Sequence, residues 1–401
     1  MRDKETSETI HALPQEKENF SISPVLPGGT IGILGGGQLG RMTAIAARKM
    51  GYRVHVYEPS PNCPAGEVCD LEINASYDDE AALCEFAKGV DVITLEFENI
   101  PSETVKILSA QVPVHPSANI LHTCQNRERE KCFLRENNIP HAPFAIVTSE
   151  EELQQAVDQI GLPCVLKTAD FGYDGKGQVR IKSKSEVSAA WATLNGSRAV
   201  LEKWISFEKE VSVICARSHG GESACLPLSE NIHTNHILDI SIVPGRVSDA
   251  VRVEAERIAL RIAEVFQLVG LIAVEFFVGE DGHLLVNELA PRPHNSGHYS
   301  FDACITSQFE QHVRAVCGLP LGSFALLSPV VMVNILGDAW QGEKAPNWLA
   351  VLKNRNAKLH LYGKRHAKPG RKMGHFCVLA PDIETALKQA LEIKGNLSSV
   401  S

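Results

Sequence analysis

A glycine turn between a strand pattern and a helix pattern constrains the fold of this chain most strongly. Residues 30–34 are a short run of β-type residues, residues 35–40 read GGGQLG, and apolar residues then recur at helical spacing as far as Met50. Two further strand patterns follow at residues 53–57 and 91–96. Strands that alternate with helices predict a parallel sheet covered on both faces.

The pattern changes after Pro116. Ser149 and Glu152 form a capping box before a helix that Gly161 ends. Strand patterns occupy residues 164–168, 178–181, 199–203 and 210–216, a helix pattern begins after Ser185, and together they predict antiparallel β structure with interspersed helices. We therefore expect an N-terminal α/β region followed by an α+β region, with a domain boundary within residues 115–125.

Later patterns complete the domain prediction. A long helix is expected at residues 249–266, strands at 271–278 and 283–289, and a hairpin from residues 358–362 and 375–379. The predicted organisation is listed by residue range: a mobile tail at 1–27, a Rossmann-like domain at 28–122, an α+β domain at 123–329 with a central subdomain at about 123–205, a β-rich domain at 330–392, and a tail at 393–401.

Composition excludes several classes of protein. The net charge of −9 offers no cationic field to a polynucleotide, so nucleic acid is not expected as a partner. No stretch approaches the roughly 18 apolar residues of a membrane span, and residues 1–27 lack a signal-peptide core. The eleven cysteines are odd in number and contain no C-x-x-C pair, which favours reduced thiols in a cytoplasm.

The N-terminal glycine turn is the first candidate ligand site. Backbone N–H groups at the start of a helix favour an anion, and Glu58 lies where a dinucleotide fold keeps its ribose-binding acid. NAD, another ligand at the same turn, and a purely structural tight turn all remain open.

The second candidate site is Lys167 with the glycine-rich residues 171–178, FGYDGKGQ. The loop can close over phosphates, and the lysine at the end of the preceding strand supplies a point charge. No Lys-Ser or Lys-Thr follows the last glycine, and a strand comes next, so this is not a Walker loop. We expect a lid across a β-hairpin; a plain glycine-rich hairpin is the alternative.

The third candidate is the pair Glu275 and Glu288. If Asp281 and Gly282 form a two-residue hairpin turn, the two glutamates lie directly opposite each other, with Cβ atoms about 5 Å apart. Facing carboxylates need a cation, and Mg²⁺ near phosphates is bound by one or two carboxylates. Asn287 adds an oxygen only if the backbone twists. Two alternatives remain open: a different register in which both acids are solvated, and a four-residue loop, since the turn also has Gly279.

Five strings resemble the N5-carboxyaminoimidazole ribonucleotide synthases, an ATP-grasp family of purine biosynthesis, over about residues 28–390. They are GGQLGR at 36–41, GYDGKGQ at 172–178, NELAPR at 287–292, HNSGH at 294–298 and PGRKMGH at 369–375. The resemblance implies an ATP-grasp fold with a Rossmann-like pre-ATP-grasp domain and a small β-rich C-terminal domain. It also implies a homodimer. The family often has Arg where this chain has Lys176, which keeps the charge but loses bidentate phosphate contact.

The implied reaction is a ligation in which ATP and bicarbonate carboxylate 5-aminoimidazole ribonucleotide, with ADP and phosphate as products. Carried over to this chain, the implied ATP contacts are Arg127, Lys167, Gly172, Tyr173, Asp174, Gly175, Lys176, Gly177, Gln178, Glu202, Lys203, Trp204, Ile205, Glu210, His233, Asn287 and Glu288. The implied Mg²⁺ ligands are Glu275 and Glu288. The implied ribonucleotide contacts are Gln38, Leu39, Glu98, Tyr173, Asp174, Asn295, Ser296, Lys364 and Arg371.

The expected mechanism passes through carboxyphosphate, which the lid shields from water. Arg292 is expected to orient bicarbonate and His294 to handle protons; Tyr173 and Asp174 join them as catalytic candidates. Between Lys344 and His375 lie nine Lys or Arg and no Asp or Glu, a run that suits a substrate phosphate at Lys364 and Arg371 but also suits a solvated face. The alternatives are another ATP-grasp ligase or formyl-phosphate transferase, an NAD-dependent oxidoreductase, and a non-catalytic nucleotide-binding module.

Overall fold

A computed structural model of the chain describes residues 23–170, 177–342 and 344–397. The N-terminal unit contains nine elements: β1 (Thr30–Leu34), α1 (Gln38–Lys49), β2 (Arg53–Tyr57), β3 (Leu71–Ile73), α2 (Glu80–Lys88), β4 (Val92–Leu95), α3 (Ser102–Ser109), β5 (Val114–His115) and α4 (Ala118–Cys124). The five strands are parallel, in the order β3-β2-β1-β4-β5. One apolar cluster packs α2 and α3 on one face, and another packs α1 on the opposite face. The predicted parallel sheet with two covered faces is confirmed.

A smaller antiparallel sheet follows, with helices beside it. Its elements are α5 (Arg127–Glu136), β6 (Phe144–Val147), α6 (Glu150–Ile160), β7 (Cys164–Thr168), β8 (Gln178–Ile181), α7 (Val187–Thr193) and β9 (Ala199–Lys203). The strand order is β6-β9-β7-β8, all antiparallel. Ser149 accepts a hydrogen bond from the Glu152 amide, as the predicted capping box requires. The return bond differs by one residue, because the Glu152 carboxylate accepts from the Thr148 amide, at 2.7 Å, and not from the Ser149 amide.

The remaining strands form one large sheet. Its elements are β10 (Lys209–Arg217), β11 (Ser223–Cys225), β12 (Ser229–Thr234), β13 (Ile237–Val243), α8 (Asp249–Val265), β14 (Gly270–Val278), β15 (Leu284–Ala290), α9 (Ser300–Ala303), α10 (Gln308–Val316), β16 (Val330–Leu336), α11 (Leu349–Leu352), β17 (Ala357–Leu361), β18 (Lys372–Leu379) and α12 (Ile383–Leu397). The order is β15-β14-β10-β12-β13-β16-β18-β17, and β11 pairs with β10. β16 pairs with β13, so the C-terminal strands extend the central sheet. The predicted hairpin partners are adjacent as β17 and β18.

Both predicted tails are too long. The Val25 amide donates to the Cys317 carbonyl, and the Tyr52 hydroxyl donates to the Val25 carbonyl, so the chain is docked before residue 27. At the other end, α12 continues past residue 392 because Ile393 and Leu397 remain buried in the apolar cluster that this helix covers. Residues 1–22 and 398–401 lie outside the described part of the chain. Within the described residues, no helix has the length and apolar character to cross a membrane.

Candidate active site

The N-terminal glycine turn is occupied by the protein's own carboxylates. Glu96 accepts hydrogen bonds from the amides of Gly37, at 2.7 Å, and Gly40, at 2.8 Å, at the start of α1. Glu58 accepts from the Gly36 amide at 2.9 Å. These donors are the ones that a bound pyrophosphate uses in a dinucleotide fold. The turn therefore carries an internal anion, and Glu58 is held in the turn instead of facing a ribose.

The main cleft lies between the four-stranded sheet and the large sheet and has a volume of about 880 Å³. Most of the described ATP candidates line it: Arg127, Lys167, Gln178, Glu202, Lys203, Trp204, Ile205, Glu210, His233, Asn287 and Glu288. The lid candidates Gly172, Tyr173, Asp174, Gly175 and Lys176 lie outside the described residues. Gly177 does not line the cleft. It has φ +69°, and a Cβ there would come within 2.6 Å of Thr168 Oγ1, so glycine is required where the loop returns to β7.

Glu202 joins two lysines on the floor of the cleft. Its Oε1 lies 3.0 Å from Lys167 Nζ, and its Oε2 lies 3.8 Å from Lys131 Nζ. Burial alone raises the pKa of this carboxyl group, but the two ammonium groups outweigh burial and lower the pKa to about 2. Glu202 is therefore ionised throughout the neutral range and holds Lys167 facing the cleft.

Glu210 and His233 form a second charged pair, from neighbouring strands β10 and β12, through the carboxylate and Nδ1. Burial lowers the pKa of His233, but the carboxylates of Glu210 and Glu275 outweigh burial, and the pKa is raised. This wall of the cleft is a polar surface with hydrogen-bonding groups fixed on rigid strands.

A flat apolar surface lies beside these charges. The rings of Phe207 and Phe277 stack with centroids 4.6 Å apart, and both line the cleft. The Arg180 guanidinium lies 3.7 Å from the centroid of the Trp204 ring, a cation–π contact. An aromatic base can be sandwiched against such a surface while its polar edge meets the strand ends.

Glu275 on β14 and Glu288 on β15 are directly opposite each other, as the sequence predicts. The route to this pairing differs from the prediction. The turn is not the two residues Asp281 and Gly282 but a five-residue loop between Val278 and Leu284, and Phe276 is paired with Val286. A β-bulge then inserts Asn287 as the extra residue before Glu288. The longer loop and the bulge shift the register in opposite directions, so the predicted pairing is correct although the predicted turn is wrong.

The bulge decides which face Glu288 occupies. In regular alternation after Phe276 and Val286, Asn287 would face Glu275, and Glu288 would point with Val286 into the apolar cluster. With the bulge, Asn287 and Glu288 both line the cleft, while Val286 and Leu289 remain buried in the cluster. The backbone twist that Asn287 required is therefore present.

The two opposed glutamates differ in charge state. Burial raises the pKa of Glu275, but contact with His294, whose Nε2 lies 3.1 Å from Glu275 Oε1, outweighs it and lowers the pKa. Desolvation and the negative charges of Glu275 and Glu130 raise the pKa of Glu288. A carboxylate that faces like charges gains from a divalent cation, and the donors are the oxygens that Mg²⁺ prefers. No cluster of three metal-binding His, Cys, Asp or Glu side chains occurs among the described residues.

A smaller cavity of about 230 Å³ adjoins the main cleft. The sequence candidates Gln38, Leu39, Glu98, Arg292, His294 and Asn295 line it, and the last four also line the main cleft. Both amide atoms of the Asn295 side chain are buried without a hydrogen-bond partner in the described structure. The two cavities therefore meet at a junction formed by four predicted residues.

Arg292 and Glu98 form a bidentate ion pair at this junction. Arg292 Nη2 donates to Glu98 Oε1 at 2.8 Å, and Nε donates to Oε2. Burial raises the pKa of Glu98, but Arg292 outweighs it and lowers the pKa; in the same way the pKa of Arg292 is raised. Glu98 thus fixes the plane of the guanidinium group in the cavity wall.

His294 has partners on both ring nitrogens. The Ser296 hydroxyl lies 2.9 Å from Nδ1, and the Ser296 backbone N–H donates weakly to Nδ1 at 3.4 Å. Nδ1 is therefore an acceptor, and the ring proton is at Nε2, which faces Glu275. Ser296 is fully buried behind the imidazole, lines neither cavity, and contacts Ser212 Oγ at 2.7 Å.

Lys364 and Arg371 do not line the small cavity. Burial, followed by the positive charge of Arg371, lowers the pKa of Lys364 to about 8. The negative charge of Glu96 acts in the opposite direction, which places Lys364 near that wall of the cavity. Lys372, which sequence reasoning missed, lines both cavities.

Sequence analysis also missed Glu130, Lys131, Phe207 and Phe277. The adjacent charges of Glu130 and Lys131 resemble any solvated helix face in the sequence, although both side chains are almost completely buried. The period-two spacing of Glu275 and Phe277 on one strand was a usable signal, because both residues must face the same side. No local pattern reports that Lys131 reaches β15.

Three family models match successive parts of the chain. The ribonucleotide synthetase preATP-grasp domain matches residues 29–125, the ATP-grasp domain matches 132–309, and the phosphoribosylaminoimidazole carboxylase C-terminal domain matches 330–389.

Individual relatives extend over nearly the whole chain. The chain is 49% identical over 353 residues to the N5-carboxyaminoimidazole ribonucleotide synthase of Bacillus subtilis strain 168, covering 88% of this chain and 92% of that protein. It is also similar to an ADP complex of an N5-carboxyaminoimidazole ribonucleotide synthetase, with 46% identity, a TM-score of 0.87, and coverage of 94% and 99%. An Aspergillus clavatus N5-carboxyaminoimidazole synthase in complex with ADP and 5-aminoimidazole ribonucleotide matches with 32% identity, a TM-score of 0.86, and coverage of 93% and 99%.

Proposed function

The chain belongs to the N5-carboxyaminoimidazole ribonucleotide synthase family of ATP-grasp ligases, and from that premise we propose how its residues divide the work of the reaction. The reaction is the ATP-dependent carboxylation of 5-aminoimidazole ribonucleotide to its N5-carboxyamino derivative. The observation that carries the proposal is the junction of the two cavities. Arg292 and His294 stand between a nucleotide-sized cleft and a second cavity, beside the facing carboxylates of Glu275 and Glu288.

ATP occupies the main cleft. Its adenine packs against the aromatic surface of Trp204, Phe207 and Phe277, and its phosphates extend toward Lys167 and Arg127. Glu210 and His233 hold the ribose and base edge with fixed hydrogen-bonding groups. This arrangement is supported by the placement of an apolar flat surface at one part of the cleft and ammonium and guanidinium groups at another.

Glu275 and Glu288 are the proposed Mg²⁺ ligands, with the Asn287 side chain as a neighbouring oxygen donor. When bound, the metal neutralises charge on the transferring phosphoryl group. The residues fit this role because two carboxylates oppose each other on rigid strands at the wall of the proposed phosphate cleft.

Bicarbonate binds at the junction. Its negative charge meets the Arg292 guanidinium, which Glu98 holds in one plane. A bicarbonate oxygen attacks the γ-phosphorus, the bond to the β–γ bridging oxygen breaks, and carboxyphosphate forms while ADP leaves with the electrons of that bond. The amine of the ribonucleotide then attacks the carboxyl carbon, a C–N bond forms, and phosphate leaves with the C–O bond electrons and takes up the proton that the amine loses. Residues 171–178, including Tyr173 and Asp174, are proposed to close over the cleft and keep water from the mixed anhydride.

His294 acts through Nε2. Because Nδ1 accepts from Ser296, the ring presents an Nε2–H group, which suits donation to an oxygen of bicarbonate or carboxyphosphate. Donation through Nε2 specifies the proton-handling role that the sequence analysis expects of His294. Ser296, expected to touch substrate, is instead proposed to orient the imidazole.

The ribonucleotide occupies the smaller cavity. Gln38 and Leu39 line one side, and the unpartnered amide of Asn295 faces the ring or ribose from the other. The substrate phosphate lies toward Lys364 and Arg371. Their mutual repulsion, which contributes to the lowered pKa of Lys364, is relieved by an anion.

We also propose a cytoplasmic homodimer. All eleven cysteines fall within the described ranges, and each is an unpaired thiol, which suits a reducing compartment. Leu349 and Leu352 on α11 are 58% and 61% exposed, and a partner surface would remove them from water. Sedimentation velocity measures the oligomeric state directly.

ADP production by the purified chain tests the proposed function. ADP should form with ATP, Mg²⁺, bicarbonate and 5-aminoimidazole ribonucleotide, and its rate should fall to background when bicarbonate is omitted. Formation of ADP with formate or with another amine, but not with this ribonucleotide, would assign a different ATP-grasp ligase. Nucleotide binding without any ADP would indicate a binding module.

A further inference from the structure

Two adjacent charged residues of α5, Glu130 and Lys131, lie against the edge of the large sheet beside the proposed metal site. Their exposed fractions are 4% and 1%, so both are almost completely removed from water. Burying two such groups carries a large desolvation penalty unless they make specific polar contacts. Their contacts therefore identify what they stabilise.

Both residues hydrogen-bond to the backbone of β15. Lys131 Nζ donates to the Asn287 carbonyl at 2.7 Å. The Leu289 amide donates to Glu130 Oε2 at 3.0 Å. These two backbone groups stand on either side of Glu288, on the outer edge of the terminal strand of the sheet. Before the bulge, the Val286 amide on this strand donates to the Pro140 carbonyl, so the α5 contacts are the ones that the described structure shows for the segment after the bulge begins.

The bulge needs such partners. It turns Glu288 from the apolar side of the sheet to the cleft side, because one extra residue reverses the alternation. A one-residue slip that removed the bulge would place Asn287 opposite Glu275 and direct Glu288 toward the apolar cluster. The strand pairing with β14 does not by itself forbid that slip, whereas the two contacts from α5 specify the positions of the Asn287 carbonyl and the Leu289 amide.

We propose that Glu130 and Lys131 form a backbone clamp that fixes the bulge at Asn287 and so directs Glu288 toward Glu275. The inference rests on the proposed function, in which these two glutamates bind the metal. Glu130 and Lys131 are positioning residues in this scheme. They act through the backbone of β15, and their effect is on metal affinity.

The test separates reach from charge at position 130. Glu130→Asp keeps the carboxylate but shortens the side chain by one methylene group, so the acceptor oxygen moves away from the Leu289 amide. Glu130→Gln keeps the reach and an acceptor oxygen but removes the charge. Asp239→Asn is the matched control for loss of a buried carboxylate, because Asp239 is 8% exposed, pairs with Lys394 and lines neither cavity.

The readouts are Mn²⁺ binding to the full-length protein with saturating ADP, followed by electron paramagnetic resonance, and hydrogen exchange of the Leu289 amide. The clamp predicts that Glu130→Asp weakens Mn²⁺ binding about 10- to 100-fold, the usual range for residues that orient metal ligands. Glu130→Gln and Asp239→Asn should bind Mn²⁺ as the wild type does. Metal-free ADP binding should stay unchanged in all three. Leu289 exchange should accelerate in Glu130→Asp only.

Several results would overturn the clamp. Weak Mn²⁺ binding in Glu130→Gln with normal binding in Glu130→Asp would assign the role to charge alone. Should Glu130→Asp not fold, fast Leu289 exchange in Glu130→Gln would refute the contact. Glu288→Gln tests the proposed metal site separately, because normal Mn²⁺ affinity in that variant would contradict the site. Weak Mn²⁺ affinity in Glu288→Gln together with normal affinity in Glu130→Asp and Lys131→Met would contradict only the clamp.

Discussion

Two pairs of glutamates, one in the N-terminal turn and one in the main cleft, show how the same residue type serves different ends. Glu58 and Glu96 accept hydrogen bonds from backbone amides of the glycine turn. Glu275 and Glu288 face each other across two strands. The first pair replaces an external anion at a helix N-terminus, and the second pair creates a need for an external cation.

The difference lies in what neutralises each carboxylate. Burial raises the pKa of Glu96, and the amides of Gly40 and Gly37 partly offset this effect. Glu288 has Glu275 as a neighbour, which adds to the rise in its pKa. A carboxylate whose charge is met by backbone donors stabilises the fold, whereas one set against a like charge is poised for a ligand. Substitutions in the two pairs should therefore have different consequences for stability and for activity.

The largest effect is expected for Glu288→Gln. Removing a metal ligand should reduce kcat by about 10³-fold, because several kcal/mol of transition-state stabilisation are lost. Steady-state ADP formation at saturating substrates measures the change, and circular dichroism checks that the fold persists. Wild-type turnover in this variant would remove the metal assignment.

Loss of the proposed phosphate contacts should come next. Lys364→Ala or Arg371→Ala should raise the KM for 5-aminoimidazole ribonucleotide about 10- to 100-fold, the value of one charged hydrogen bond, and leave the KM for ATP nearly unchanged. Initial-rate kinetics with each substrate varied in turn measures both constants. An equal rise in both KM values would contradict a dedicated phosphate site.

Ser296→Ala tests the orientation of His294. Without the hydroxyl, Nδ1 loses its nearer partner, and kcat should fall about 10-fold, the scale of one hydrogen bond at a positioned group, while the KM for ATP is retained. Ser296→Thr keeps a hydroxyl group and should restore most of the lost rate. If Ser296→Ala lowered the free energy of unfolding but left kcat unchanged, Ser296 would have only a structural role.

Buried histidines outside the cleft should make the fold sensitive to acid. Burial lowers the pKa of His312 to about 3, and the pKa values of His298 and His375 lie well below their ordinary value for the same reason. The unfolded chain binds protons below about pH 6.5 that the folded chain excludes, so the free energy of unfolding falls as the pH is lowered, by up to about 1.4 kcal/mol per pH unit for each histidine. Urea unfolding at several pH values between 7 and 5 measures how the free energy of unfolding changes with pH. A free energy of unfolding that stays constant over this range would contradict the prediction.

The smallest effect is expected for Glu58→Gln, the matched counterpart of Glu288→Gln. The amide oxygen can still accept from Gly36, so stability should fall by no more than about 1 kcal/mol, and kcat should stay at the wild-type value. Chemical denaturation and ADP formation measure the two quantities. A loss of activity comparable with that of Glu288→Gln would erase the distinction between the two pairs.

Local patterns predicted the elements well and long-range contacts poorly. The strand, turn and helix at residues 30–49 are confirmed because glycine and apolar periodicity act within a few residues. The helix α12 was missed, although Ala386, Ala390, Ile393 and Leu397 carry its apolar stripe. The pairing of β16 with β13 had no local signal, so the sequence did not predict that the C-terminal strands join the large sheet.

The site illustrates the same limit. Glu275 and Glu288 were paired correctly from a turn that does not exist, because the five-residue loop and the bulge at Asn287 cancel in register. Sequence alone could not supply the bulge, since its partners Glu130 and Lys131 lie on a distant helix. The contacts proposed to orient Glu288 thus come from outside its own hairpin.

The most direct test of the central claim follows oxygen from bicarbonate. With ¹⁸O-labelled bicarbonate, ATP, Mg²⁺ and 5-aminoimidazole ribonucleotide, each turnover should place one ¹⁸O atom in the released phosphate, because a bicarbonate oxygen attacks the terminal phosphoryl group. Mass spectrometry of the phosphate gives the answer. Phosphate that carries only solvent oxygen would contradict activation of bicarbonate in this cleft.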